Sequence, residues 1–192
     1  QWVDEGHQIK VISGMIHYTS SEKRTEYKGK WFVKKKQGVI EVMRCHVSES
    51  YNSNFIGRLW AYFSFVFSSL WAGLFKVGGK YDVIIVSSPP LFIGISGYLI
   101  SLFKRTPFVF EIRDLWPESA IDTGVLKNKL IIKLAYTFES FIYRKATIIN
   151  VLTPAFKTYL VNNKNVKVVK IKGNAKRPFF PICSSTKLTT NS

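Results

Sequence analysis
The 192-residue chain carries 28 Lys+Arg against 12 Asp+Glu, a formal net charge of +16, with 46% hydrophobic and 15% aromatic residues. That apolar share supports one domain with a buried core, and Cys45 and Cys183, without metal or redox spacing, argue against a disulfide framework. No acidic residue follows Glu139, so the rest of the chain is basic and points to an anionic partner: nucleic acid, an anionic membrane surface or a phosphorylated substrate.

The chain opens on Gln1 rather than Met, with no signal peptide in view. Gln1 to Gly6 reads as the end of a helix, with Gly6 as its C-cap glycine. Gln8 to Ser13 follows as a strand. A helix end leading directly into a strand implies an upstream strand, because the usual unit is strand–helix–strand. Residues 14–30 read as a long polar loop. Trp31–Lys36 and Val39–Val47 then form a hairpin about Gln37-Gly38. Between Phe55 and Phe75 the only charge is Arg58. The length reaches that of a membrane span, but Tyr62, Ser64, Ser68 and Ser69 dilute it. It reads as a helix partly buried in the domain with an aromatic side at the surface. Arg58, Trp60, Trp71, Lys76 and Lys80 then suit contact with anionic lipid.

Tyr81–Ser87, YDVIIVS, is a buried strand running into Ser88-Pro89-Pro90, and Leu91–Phe103 is a short apolar helix closed by Lys104 and Arg105. Phe108–Ile112 makes the next buried strand, begun after Pro107 and ending in Arg113, Asp114 and Glu118 around Leu115-Trp116-Pro117. A linker through Gly124 leads to an amphipathic helix over Asn128–Lys145. Thr147–Leu152 is another strand, and Pro154–Val161 a short helix. This alternation predicts an α/β fold, a Rossmann-like parallel sheet with helices on both faces. From Asn162 the texture turns basic and then polar. Val166–Ile171 suits an edge strand, and beyond Gly173 no stable packing is expected. The domain expected is therefore 1–161, with 162–192 a basic, polar tail that is disordered or out of frame.

In open α/β sheets ligands sit beyond the carboxyl ends of the strands. Ser87 and Ser88, beside a helix start, suit a phosphate or sugar oxygen. Arg113 supplies a bidentate cation, and Asp114 an acceptor for sugar hydroxyls. Glu118, in a first helical turn, and Thr153, ending a third strand, complete the candidate substrate-binding set. The plain alternative is an ordinary set of strand-end caps. There is no G-x-G-x-x-G, Walker loop, G-x-S-x-G or H-E-x-x-H. His7, His17 and His46 are scattered, so neither a metal nor a cofactor is indicated.

Three stretches taken together, SSPPLFIGISGYL, PFVFEIRDLWPESAIDTGVLKN and FIYRKATIINVLTPAFKTYL, resemble a branch of glycosyltransferase family four, with QWVDEGHQIKVISGM and YKGKWFV also in register. These are GT-B enzymes of bacterial capsule and O-antigen assembly, including fucosaminyltransferase-like members. The resemblance implies the N-terminal half of a two-domain enzyme, its first strand and donor domain missing. It also implies transfer from a nucleotide-sugar donor to a polyprenyl-diphosphate-linked sugar at the inner, cytoplasmic face of the membrane. The fragment itself would be inactive. Many relatives place histidine where Arg113 stands, and an arginine cannot serve as a general base near neutrality, so no catalytic residue is assigned. The competing reading is a basic membrane- or nucleic-acid-binding module without enzymatic activity, although the chain shows no nucleic-acid recognition motif. An absent first strand would leave the strands at 8–13 and 81–87 without central partners, and predicts a poorly folded chain unless that gap is closed.

Overall fold
The computed structural model describes residues 2–16, 25–52, 55–167, 171–173 and 185–190. Among these residues, eight strands form one sheet: β1 (Gln8–Gly14), β2 (Phe32–Gln37), β3 (Ile40–Cys45), β4 (Val83–Ser87), β5 (Phe108–Ile112), β6 (Ile148–Val151), β7 (Ile171–Gly173) and β8 (Ser185–Thr190). Their order across the sheet is β2-β3-β1-β8-β4-β5-β6-β7. β1 runs parallel to β3, and β4, β5, β6 and β7 run parallel in series. β2 closes one edge as the antiparallel hairpin partner of β3. The fold is α/β and Rossmann-like, as the alternation of strand and helix predicts.

The helices are α1 (Phe55–Trp71), α2 (Ile93–Lys104), α3 (Glu118–Asp122), α4 (Lys129–Lys145) and α5 (Pro154–Lys164), with α1 continuing as a π-helical turn over Ala72–Lys76. The steps β3 to β4, β4 to β5 and β5 to β6 all move the same way along the sheet. Right-handed crossovers therefore place α1, α2 and α4 on one face, so among the described residues these three helices do not divide between both faces as the alternation predicts. That face is dry: Ile12, Ile84, Val86, Phe110, Ile149 and Val151 are fully buried. Their alternate neighbours Ile85, Val109, Glu111 and Ile148 are half-buried. The helical layer fits closely because α2 presents glycine at its contacts. A Cβ on Gly97 would lie 2.2 Å from Val86 Cγ2, and one on Gly94 would lie 2.9 Å from Ile142 Cγ2.

The centre of the sheet differs from the sequence reading. β1 and β4 do not pair; β8 lies between them, antiparallel to both. Lys187 is registered against Val11 on one side and Ile85 on the other. Residues beyond Gly173 thus supply a central strand where no stable packing is expected. The reason is backbone chemistry. Two facing strand edges inside a sheet leave N–H and C=O groups that cost about 1–3 kcal/mol each when buried and unmet. An extended segment can meet them through its own backbone, whatever its side chains. The gap on which the expectation of poor folding rested is closed in this way. α5 also runs past Val161 to Lys164, where Asn165 ends it in a left-handed conformation (φ 52°).

Smaller differences follow. Residues 2–6 form turns, with Gly6 at φ +87° and its N–H donating to the Val3 carbonyl (3.0 Å). Within the expected loop at 14–30, Thr25–Tyr27 forms one 3-10 turn, while His17 lies outside the described residues. The strand expected at Val166–Ile171 begins only at Ile171 among the described residues, and Cys183 lies outside them. Cys45 is buried in the core, and burial pushes its thiol up to about 12. Among the described residues, no helix is long and apolar enough to cross a membrane.

Candidate functional site
Parallel register sets the carboxyl ends of β4, β5 and β6 side by side, with Ser87 opposite Glu111 and Ile112 opposite Val151. The Ser88 N–H donates to the Glu111 carbonyl (3.0 Å), and the Ser88 hydroxyl donates to the same oxygen (3.2 Å). Ser87 Oγ donates to Glu111 Oε1 at 3.5 Å. Both serines are buried. Their first duty is to lock the turn after β4 onto β5.

Arg113 and Asp114 follow β5 directly, and both are half-buried. Asp114 Oδ2 accepts a bond from Ser119 Oγ (2.8 Å), which fastens the strand-end turn to the start of α3. The ring of Phe92, after the first turn, lies 5.4 Å from that of Trp116, after the second, and 5.4 Å from Phe138 on α4. An aromatic wall therefore joins the two turns on the helical side.

Glu118 and Thr153 have other partners. Tyr159 donates its hydroxyl to Glu118 Oε1 (2.8 Å), and Lys164 forms an ion pair with the same carboxylate. Lys164 Nζ also donates to Glu139 Oε2 at 2.7 Å, with Glu139 fully buried. Burial works against all three charges. On Lys164 the bonds to Glu118 and Glu139 outweigh burial and raise it above the ordinary ammonium range. On Glu118 the bonds from Lys164 and Tyr159 hold the carboxyl below its usual range, whereas on Glu139 burial wins and pushes it up. Thr153 Oγ1 accepts the Phe156 N–H (3.2 Å) and caps α5.

The structure thus brings Ser87, Ser88, Arg113 and Asp114 to adjacent strand ends, while Glu118 anchors α5 and Thr153 caps it. Sequence reasoning missed Glu111, the β5 residue to which both Ser87 and Ser88 are bonded. Its signal was a lone carboxylate on the less buried side of an apolar strand. Among the described residues, no cluster of three or more His, Cys, Asp or Glu could hold a metal ion. Along α1, its π-helical extension and the loop that follows, Arg58, Lys76 and Lys80 are exposed, Trp60 and Trp71 are more than half exposed, and Trp71 lies 4.6 Å from Phe75, ring to ring.

A guanidinium and a carboxylate at the mouth of a parallel sheet, walled by aromatic rings, suit an anionic ligand bearing hydroxyl groups. Comparison with protein families matches residues 1–172 to the glycosyl transferase 4-like domain. Comparison with curated proteins finds no match.

Proposed function
The chain belongs to the glycosyl transferase 4-like family, and on that premise we propose that residues 1–161 form the acceptor-side half of a GT-B glycosyltransferase of bacterial capsule or O-antigen synthesis, in its fucosaminyltransferase-like branch. The observation that carries this reading is the parallel register of β4 and β5, which sets Ser87-Ser88 beside the strand that ends in Arg113-Asp114. In this reading Arg113 holds the diphosphate of a polyprenyl-diphosphate-linked sugar, the task for which a planar, permanently charged fork is suited. Asp114, itself braced by Ser119, orients an acceptor hydroxyl.

The nucleotide-sugar donor would be presented by a second domain. Glycosyl transfer needs donor and acceptor held together in one cleft, so this half does not turn over alone. The protein works at the inner, cytoplasmic face of the membrane as a peripheral partner of anionic lipid. The exposed aromatic side of α1 and the cations Arg58, Lys76 and Lys80 support that placement.

The test is radiolabelled sugar transfer to a short-chain prenyl-diphosphate sugar. No transfer is expected from the 192-residue chain, and transfer is expected when a donor-side domain of the family is fused to it. Transfer by the chain alone would overturn the half-enzyme reading. An unbound acceptor would overturn the acceptor-side assignment.

A further inference from the structure
A groove of about 370 Å³ lies between α1, with its π-helical extension, and the start of β2. Trp31, Phe67, Leu70, Trp71, Leu74 and Phe75 supply most of its wall. Four of these rings remain open to solvent: Trp31 at 62%, Phe67 at 65%, Trp71 at 55% and Phe75 at 65%. Phe67, Trp71 and Phe75 stand four residues apart and so share one side of the helix. Clustered apolar exposure of this kind marks an interaction site. Among the described residues that line the wall, Ser68 alone contributes a hydroxyl, and it already donates to the carbonyls of His46 (2.6 Å) and Phe65 (3.2 Å). A polar ligand would find little there to bind.

The Phe75 end of the groove opens onto concentrated positive charge. The chain turns through residues 76–80, where Lys76 and Lys80 are exposed. Lys10 Nζ donates to the Gly78 carbonyl (2.8 Å), and Lys104 Nζ to the Val77 carbonyl (3.1 Å). Burial, and then the charge of Lys10, lower the Lys104 ammonium. Glu41, registered against Lys10, is taken up by Lys34 (2.9 Å), and Asp82 stands exposed beyond Lys80. Four lysines thus gather around one short turn at the end of an apolar trough.

The geometry points to a site for one anionic phospholipid of the bilayer, with a hydrocarbon chain in the groove and the phosphate at Lys10, Lys76, Lys80 and Lys104. Docking of this face on anionic membrane, which the functional reading requires, is the premise on which this site rests. The site adds to it a single seated lipid molecule, which surface attraction alone does not require.

Lysophosphatidylglycerol below its micelle threshold probes the groove without a bilayer. Calorimetry should show saturable binding of one molecule per chain, with lysophosphatidylcholine at least tenfold weaker. Phe67→Gln with Phe75→Gln, at exposed positions the fold tolerates, should weaken binding at least tenfold with an unchanged circular dichroism spectrum. Lys76→Gln with Lys80→Gln should weaken it and flatten its salt dependence. Flotation on phosphatidylglycerol vesicles reads the docking separately. A chain that floats but takes up no monomeric lipid would overturn the groove site and leave the docking intact. A chain that binds the monomer but does not float would overturn the docking. A dimer dissolved by the two phenylalanine substitutions would show that a second copy covers the groove, and would also overturn the site.

Discussion

Ser88 is tied twice to one atom of Glu111: its N–H and its hydroxyl both donate to the Glu111 carbonyl, at 3.0 and 3.2 Å. The turn after β4 is therefore fixed to the next strand before any ligand arrives. Ser88→Ala keeps the N–H bond and loses the hydroxyl's, at a cost of about 0.5–1.5 kcal/mol in stability. Denaturant unfolding should show that loss, while acceptor binding changes by less than threefold. A large binding defect with unchanged stability would make the Ser88 hydroxyl a ligand contact instead.

The Glu118–Lys164–Glu139 cluster gives a second prediction. Lys164 bridges a carboxylate at the start of α3 and a fully buried one on α4. Lys164→Met leaves Glu139 buried without its cation, and breaking a buried pair in this way costs about 3–5 kcal/mol. Adding Glu139→Gln removes the stranded charge and should recover part of the loss. The pH dependence has a definite sign. Burial raises Glu139, so its contribution to stability is present at low pH and is lost as pH rises through its folded value. Lys164 offsets that loss in the parent chain. The deficit of Lys164→Met should therefore be largest at neutral pH and shrink as pH falls toward the ordinary carboxylate value of about 4.3. Unfolding curves at several pH values check this, and a deficit independent of pH would contradict it.

Packing of α2 supplies a third. Gly97→Ala puts a methyl group where Val86 Cγ2 already sits, 2.2 Å away. Overpacking of this kind costs about 1–3 kcal/mol. It should also shift the Pro90–Phe92 turn that leads from Ser88 into α2. Amide shifts confined to Gly97 and its helical neighbours would show that the strand yields without cost to the site.

The sequence was most legible where burial and period agree. VIIVS, the last five residues of YDVIIVS, became β4, FVFEI became β5, and the helix expected over Asn128–Lys145 appeared as α4 with the Asn128 side chain capping it. The strand-end position of Arg113 and Asp114 followed from the same pattern. What stayed hidden depends on residues distant in the chain. Lys164 reads as one more cation in a basic stretch, and only the fold sets it between Glu118 and Glu139. β8 was illegible for another reason. STKLTT has three β-branched threonines but only Leu188 as an apolar residue, too little to mark a central strand, and its place comes from the two backbone edges it joins.

That central strand makes a fourth prediction. Lys187→Pro removes a backbone donor in the middle of the sheet, where proline is not accommodated. Hydrogen exchange should then quicken at Val11, Ile12 and Ile84–Val86, the neighbours on both sides. Unchanged protection at those amides would mean that β1 and β4 do not depend on β8.

The account's central claim is that the strand ends after β4 and β5 hold the acceptor, with Arg113 on its diphosphate. The most direct measurement is titration of the chain with a short-chain prenyl-diphosphate sugar, followed by backbone amide shifts and calorimetry. Shifts should concentrate at Ser87, Ser88 and Glu111–Leu115. Arg113→Ala should lose a charge-assisted bond of about 1.5–3 kcal/mol, roughly ten- to a hundredfold in affinity, and Arg113→Lys should recover only part. Shifts located elsewhere on the sheet, or full affinity in Arg113→Ala, would contradict the claim.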